Sequence, residues 1–191
     1  TYASAMQVEV YMRGRSKLPV YVENAAEFLT TGNKRITNKS IAIISSVSGN
    51  TLEMIELVDK VHEIGGKVFS FIDTPNTVLT QPDKQDYLIL YPKNEQLKFY
   101  MTANYFMFKN GEFSEYEDYN QNMEENLAKV LVNVEKQVDA WAYHYAKQKV
   151  EFLDKHPDLP HYFIGAGNQY GATYSYAMCY WEEQMWIRTK S

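Results

Sequence analysis

The stretch IAIISSVSGNTLEMIELVDKVHEIGGKVFSFID, residues 41–73, decides the fold. It opens with the apolar run 41–44, continues through a hydroxyl-rich loop at 45–50, and enters an amphipathic helical pattern over 51–64. Gly65 and Gly66 stop that helix in the manner of a C′ glycine. Residues 68–72 then read as a second buried strand, broken by Asp73, Thr74 and Pro75. Residues 87–91 read as a third. Short apolar strands separated by helices predict a parallel sheet covered on both faces, an α/β fold in three layers.

Working outward, residues 2–12 carry a helical pattern, 14–19 a turn, and 20–22 a further short strand. On the other side, 122–153 places Leu127, Val130, Leu131, Val134, Val138, Trp141 and Tyr145 on one stripe of unusual length. Such a stripe predicts a core-facing or domain-linking helix. A break at 156–160 leads into a strand at 162–164, the loop Gly165-Ala166-Gly167, and a second helix from about Tyr170. Strand, loop and helix recur here as the opening of a second, similar domain. With Thr1 in place of a Met and 181–191 reading as an interrupted helix, the chain is expected to be a piece of a longer protein.

Composition narrows the partners. Against 19 Lys and Arg stand 24 Asp and Glu in 191 residues, a formal charge of -5, the wrong sign for holding a nucleic acid backbone. The single cysteine, Cys179, allows no internal disulfide, and the start lacks the charged and apolar regions of a leader. No apolar run reaches the ~20 residues of a membrane span. The expectation is a cytoplasmic protein without a nucleic acid or membrane partner. Its 16 Tyr and 3 Trp point to half-buried, polar-tipped surfaces such as an interface or a ligand cleft.

The loop Ser45-Ser46-Val47-Ser48-Gly49-Asn50-Thr51 lies where a parallel strand hands over to a helix, the edge at which α/β sheets bind ligands. Several hydroxyls, a glycine and the open amides of a helix start together suit an anion, usually a phosphate. Helix capping by Ser48, Asn50 or Thr51 is the competing reading, but one cap accounts for one hydroxyl. The loop lacks the lysine of a nucleotide P-loop, and the Gly165 loop has Tyr170 where a dinucleotide fingerprint needs its third glycine. His62, His144, His156 and His161 show no metal-ligand spacing and read as surface or capping residues. Cys179 reads as a small core residue, and Glu115, Glu117 and Asp118 as a solvated loop.

These residues resemble the sugar isomerase (SIS) domains, which bind phosphosugars. The S-x-S-G-x-T core at Ser46, Ser48, Gly49 and Thr51 carries the likeness. TYASAM at 1–6 and VYVENAAEF at 20–28 resemble the earlier part of the same domain, whose first strand is absent here. YFIGAGNQYGATYSYAM at 162–178 is similar to the opening of the second domain in two-domain members. Among these are the isomerase half of glucosamine-6-phosphate synthase and the fructosamine-6-phosphate deglycases.

The resemblance implies a flavodoxin-like parallel sheet in a truncated double-SIS chain. It divides the chain into a first SIS domain at 1–120, a linking helix at 121–155 and the start of a second domain at 156–191. It implies phosphate held by Ser46, Ser48, Thr51 and the backbone of Val47, and a sugar contact from Thr1. It further implies a catalytic Glu on the first helix of the second domain, where Glu182 and Glu183 stand side by side. Adjacent helical positions point about 100° apart, so at most one faces a given pocket. Likeness to the deglycases favours Glu183, whereas ungapped counting against the synthases selects Glu182. Synthases resemble A-L-K-x-K-E where this chain has Ala177-Met178-Cys179-Tyr180-Trp181-Glu182 without either lysine, which favours the deglycases. The catalytic His of such deglycases falls beyond Ser191.

The expected activity is hydrolysis of a 6-phosphofructosamine to glucose 6-phosphate and an amino acid, with no metal or organic cofactor. An aminosugar-phosphate isomerase or synthase, and a non-catalytic phosphosugar sensor, are the alternatives. Family members imply a homodimer or higher homo-oligomer with active sites at subunit interfaces.

Overall fold

The computed structural model describes residues 2–190. Packing divides the chain into two compact units, Thr1–Ala103 with Ala166–Ala172, and Asn104–Gly165 with Thr173–Ser191.

The first unit holds α1 (Tyr2–Arg13), α2 (Ala25–Thr31), β1 (Ile41–Ser46), α3 (Leu52–Ile64), β2 (Lys67–Ile72), two 3-10 turns (Val78–Thr80 and Pro82–Lys84) and β3 (Tyr87–Leu90), and most of α4 (Glu95–Lys109). The strands form one parallel sheet in the order β1, β2, β3, with Ser46 opposite Ile72 and Ile72 opposite Leu90. Alternation along β2 turns Val68 and Ile72 to one face. There they pack with Ile44, Leu79 and the α3 residues Val58 and Val61, all but fully buried. Each such side chain contributes about 1.5–3 kcal/mol of burial, so this cluster is a major source of the unit's stability. On the opposite face Phe71 meets Phe99 of α4 edge-on at 6.1 Å, which gives the three layers. Tyr11 of α1 packs edge-on against Tyr100 of α4, and Gly171 lies so close to α1 that a Cβ would stand 2.4 Å from the Ala3 carbonyl.

The glycine pair ends α3 as expected. Gly65, at φ +84°, donates to His62 O and Gly66 donates to Val61 O, a Schellman closure. Asp86, just ahead of β3, ties this corner together by accepting from Val68 N at 2.8 Å, Lys67 Nζ at 2.6 Å and His62 Nε2 at 3.1 Å. Partial burial pushes its pKa up, but those three donors and the Lys67 charge outweigh it and hold the group at about 2.

The second unit contains the 40-residue α5 (Tyr116–Lys155), β4 (His161–Tyr162), a π-helix (Tyr176–Gln184) continuing from α6 (Gln169–Ser175), and β5 (Thr189–Lys190) parallel to β4. Phe108 stacks on Tyr116 at 4.7 Å, and Asn104 donates to the Tyr119 hydroxyl, fixing the end of α4 on the start of α5. At the other end Trp181 is enclosed by His161, Phe163 and Tyr176.

Several expectations from the sequence are corrected. Residues 20–22 form no strand; Tyr21 is exposed and its ring lies under Arg35. The loop expected at 45–50 begins later, because Ser45 and Ser46 still pair with β2. No residue of α5 is buried and Trp141 is 64% exposed, so its stripe is not core-facing. Glu117 and Asp118 belong to the first turn of α5, where carboxylates complement the open amides. His161 is buried among aromatic rings, and burial together with the charge of Lys149 lowers its pKa. Cys179 is exposed, not a core residue. The final helix ends at Gln184, and residues 189–190 return as a strand.

Candidate functional site

The hydroxyl-rich loop sits at the carboxyl end of β1, and its geometry follows from alternation along the strand. Ser45 and Ser46 are both buried but project to opposite faces. Ser45 Oγ donates to Glu95 Oε2 at 3.1 Å, at the start of α4, and is thereby drawn away from the other hydroxyls. Ser46 Oγ instead accepts from the Gly49 amide at 3.0 Å, closing the loop on itself. A hydroxyl has one proton and two lone pairs, so this bond leaves the Ser46 proton available for an anion. Ser48 Oγ accepts from the Asn50 amide at 3.3 Å and lies 3.3 Å from Thr51 Oγ1. Thr51 occupies the N-cap of α3 without capping it through its side chain, and Ser48, Val47 and Thr51 are all exposed. Ser48 and Thr51 thus bring two hydroxyls together at the start of α3, whose leading amides have no partner within the helix, and Ser46 stands at the end of β1 in the same loop.

The capping alternatives resolve in a specific way. Asn50 does not cap α3; its Oδ1 accepts from Val78 N at 3.0 Å. Gly49 adopts φ +64°, and a Cβ there would lie 2.1 Å from Thr77 Oγ1, so only glycine fits. Thr74, Thr77, Val78 and Leu79 thus form a cradle behind the loop, with Thr74 Oγ1 donating to Val47 O at 2.7 Å and Leu79 N to Gly49 O at 3.0 Å. Beside it, the nearly buried Lys98 binds Asp73 Oδ1 at 2.9 Å and the Tyr91 carbonyl, while the Lys93 amide donates to Asp73 Oδ2. Burial opposes ionisation of Asp73, but the Lys98 and Lys93 donors outweigh it and its pKa is lowered. The sequence marks Asp73 and Thr74 only as breakers of a strand and Asn50 only as a cap, and gives no sign of a supporting role for Thr77, Val78, Leu79, Lys93 or Lys98. Apart from the bond of Lys98 to the Tyr91 carbonyl, their contacts join positions 20 or more apart, which no local pattern marks.

In the second unit, Glu182 and Glu183 have different surroundings. Glu182 is half-buried and its Oε1 accepts both the Thr189 hydroxyl at 2.5 Å and the Thr189 amide at 3.2 Å. Glu183 is exposed. Both lie in the π-helix, a rare conformation that often marks functional positions. The expected sugar contact, Thr1, lies outside the described residues. Among the described residues no three His, Cys, Asp or Glu side chains gather as a metal-holding group, and no helix is long and apolar enough to cross a membrane.

Comparison by structure finds the same fold in enzymes of sugar phosphates. A provisionally assigned phosphosugar isomerase from Salmonella typhimurium LT2 superposes over 100% of this chain and 58% of its own, with a TM-score of 0.85 and 21% identity. The C-terminal domain of glucosamine-fructose-6-phosphate aminotransferase from Francisella tularensis aligns with 99% of this chain and 55% of its own, at TM-score 0.76 and 16% identity. Glucosamine-6-phosphate deaminase from Thermotoga maritima covers 99% and 56%, at 0.64 and 16%. The chain therefore spans just over half the length of these structures. Comparison by sequence with curated proteins returned no match. The family model for the SIS domain matches residues 1–108, more than half of the chain and the whole of the loop built above; the chain belongs to the SIS domain family.

Proposed function

We propose that this chain binds a 6-phosphofructosamine and serves its hydrolysis to glucose 6-phosphate and a free amino acid. One observation carries the reading: Ser48 and Thr51 bring their hydroxyls within 3.3 Å of each other at the start of α3, while Ser46 holds the Gly49 amide, all in the loop that the family model covers. In this reading their hydroxyls and the Val47 backbone hold the phosphate, and Thr1 contacts the sugar. Residues 1–120 form the first SIS domain, 121–155 the link, and 156–191 the opening of a second. The active protein is a homodimer or larger homo-oligomer with sites completed between subunits.

The chemistry needs one base. It removes a proton from C1 of the ketosamine as the C2 carbonyl oxygen takes up a proton, generating an enolamine, and returns the C1 proton to C2 as the nitrogen gives up its own, which leaves an imine between C1 and nitrogen. Water adds to that C1, and the carbinolamine collapses to glucose 6-phosphate and the amine. A carboxylate suits both transfers. We assign this role to Glu183, because Glu182 already accepts two hydrogen bonds from Thr189.

The test is release of glucose 6-phosphate from 6-phosphofructosyl-lysine, followed with a coupled dehydrogenase. Release that is lost in Glu183→Gln with binding retained supports the assignment. No release, with a thermal shift by fructose 6-phosphate or glucosamine 6-phosphate, moves the weight to an isomerase or a sensor. The isomerase reading draws on the sugar-phosphate enzymes of the same fold, and the missing lysines around Cys179 weigh against its synthase form.

A further inference from the structure

Three carbonyls around the hydroxyl-rich loop turn toward one segment, residues 73–79. Ser46 O accepts from the Asp73 amide at 3.2 Å, Val47 O from the Thr74 hydroxyl at 2.7 Å, and Gly49 O from the Leu79 amide at 3.0 Å. Every peptide bond among the described residues is trans, and a trans peptide directs its N–H opposite to its C=O. Anchoring these carbonyls therefore turns the amides of Val47, Ser48 and Asn50 to the other side of the loop. The Asn50 amide shows the result, since it donates to Ser48 Oγ, beside Thr51 Oγ1. Amides converging on one side make an anion cradle, whereas a carbonyl rotated inward would repel the same anion.

Two of the three anchors are backbone amides that any sequence supplies; the third is the side chain of Thr74. The Val47 side chain is 66% exposed and gives its peptide no packing to hold it. We propose that Thr74 is a positioning residue for phosphate recognition: its hydroxyl fixes the Val47–Ser48 peptide so that the Ser48 amide faces the bound phosphate. Thr74 acts through that peptide and does not itself touch the ligand. This inference rests on the phosphosugar reading of the loop.

The experiment compares Thr74→Val, which keeps the shape and removes the hydroxyl, with Thr74→Ser, which restores it. Affinity for fructose 6-phosphate and for inorganic phosphate is measured by calorimetry on the protein, alongside its thermal midpoint. Thr74→Val is expected to weaken both ligands about tenfold, with Thr74→Ser within about twofold of the parent. Because Thr74 is exposed, the midpoints stay close together. In the parent, fructose 6-phosphate should also shift the 15N-detected amide resonance of Ser48. Equal binding by Thr74→Val, or a Ser48 amide that ignores the ligand, overturns the positioning role while leaving the phosphosugar reading intact. Failure of the parent to bind either phosphate ligand overturns the phosphosugar reading, and this inference with it.

Discussion

Residues 41–64 and 161–184 present the same order of strand, loop and helix, yet they are built to different depths. The first has a six-residue strand within a three-stranded sheet, a loop cradled from behind, and a regular α-helix with a glycine closure. The second has a two-residue strand paired, among the described residues, with residues 189–190, and its helix passes from α into a nine-residue π-helix. Both loops contain a glycine at positive φ, Gly49 at +64° and Gly167 at +58°. A Cβ at Gly49 would strike Thr77, whereas one at Gly167 would meet nothing within 4 Å. Similar strings of residues can therefore encode a close-packed site or a lightly supported turn.

An alanine placed in each loop should reveal the largest difference between the two regions. Gly49→Ala combines left-handed strain with overlap on Thr77 and is expected to cost about 3 kcal/mol. Gly167→Ala carries the strain alone, about 1 kcal/mol. Urea unfolding of the two variants checks this, and equal losses would show that the cradle behind the first loop is unimportant. Phosphosugar binding should also disappear in Gly49→Ala.

The next effect falls on the hydroxyls. Ser46→Ala and Ser48→Ala should each weaken phosphosugar binding by about 1–3 kcal/mol, the cost of leaving a charged acceptor without its donor. Ser175→Ala, at the corresponding helix of the second region, should change affinity by less than twofold. Unchanged binding in both loop variants would remove the phosphate assignment.

How much of this was legible follows from the range of each interaction. The strands of 41–72, the helix between them and the Gly65-Gly66 stop were readable because a strand period, a helical stripe and a glycine closure are local. The hydroxyl-rich loop 45–51 was readable as a local cluster for the same reason, whereas the choice of Ser46, Ser48 and Thr51 within it comes from the family resemblance. Local pattern alone does not separate Ser45 from its neighbours, since only the extension of β1 by two residues turns it toward Glu95. Thr74 was read merely as part of a break, because its partner Val47 is 27 positions away. The stripe on α5 showed its period but not what covers it, and periodicity carries no information on that point. The burial of His161 has no local sign, because it depends on Trp181, twenty positions on.

A pH experiment sharpens the contrast between the corners that brace the two helices. In the first region Asp86 ties α3 to β2, with its pKa drawn from the ordinary 3.8 to about 2. Because the folded value is the depressed one, its stabilisation is fully present above pH 4 and is lost as pH falls toward 2. Allowing for its solvent-facing side, the contribution is about 1–2 kcal/mol at neutral pH. Asp86→Asn should be less stable than the parent by that amount in urea at pH 7, with the gap closing by pH 2. A gap independent of pH would mean that the carboxylate charge plays no part in bracing the corner.

The smallest effect concerns the brace of the second region, where Glu182 receives the hydroxyl and amide of Thr189. Glu182→Gln keeps an acceptor oxygen but exchanges charge-assisted bonds for neutral ones, a loss of about 1 kcal/mol. The pairing of β4 with β5 is only two residues long, so the loss should appear locally, as faster hydrogen exchange at the Thr189 and Phe163 amides, the latter bonded to Lys190 O. Turnover of the 6-phosphofructosamine should persist in this variant and vanish in Glu183→Gln. If Glu182→Gln abolishes turnover while Thr189 exchange stays at the parent rate, Glu182 is the base, and its bonds to Thr189 orient a catalytic group instead of bracing a strand.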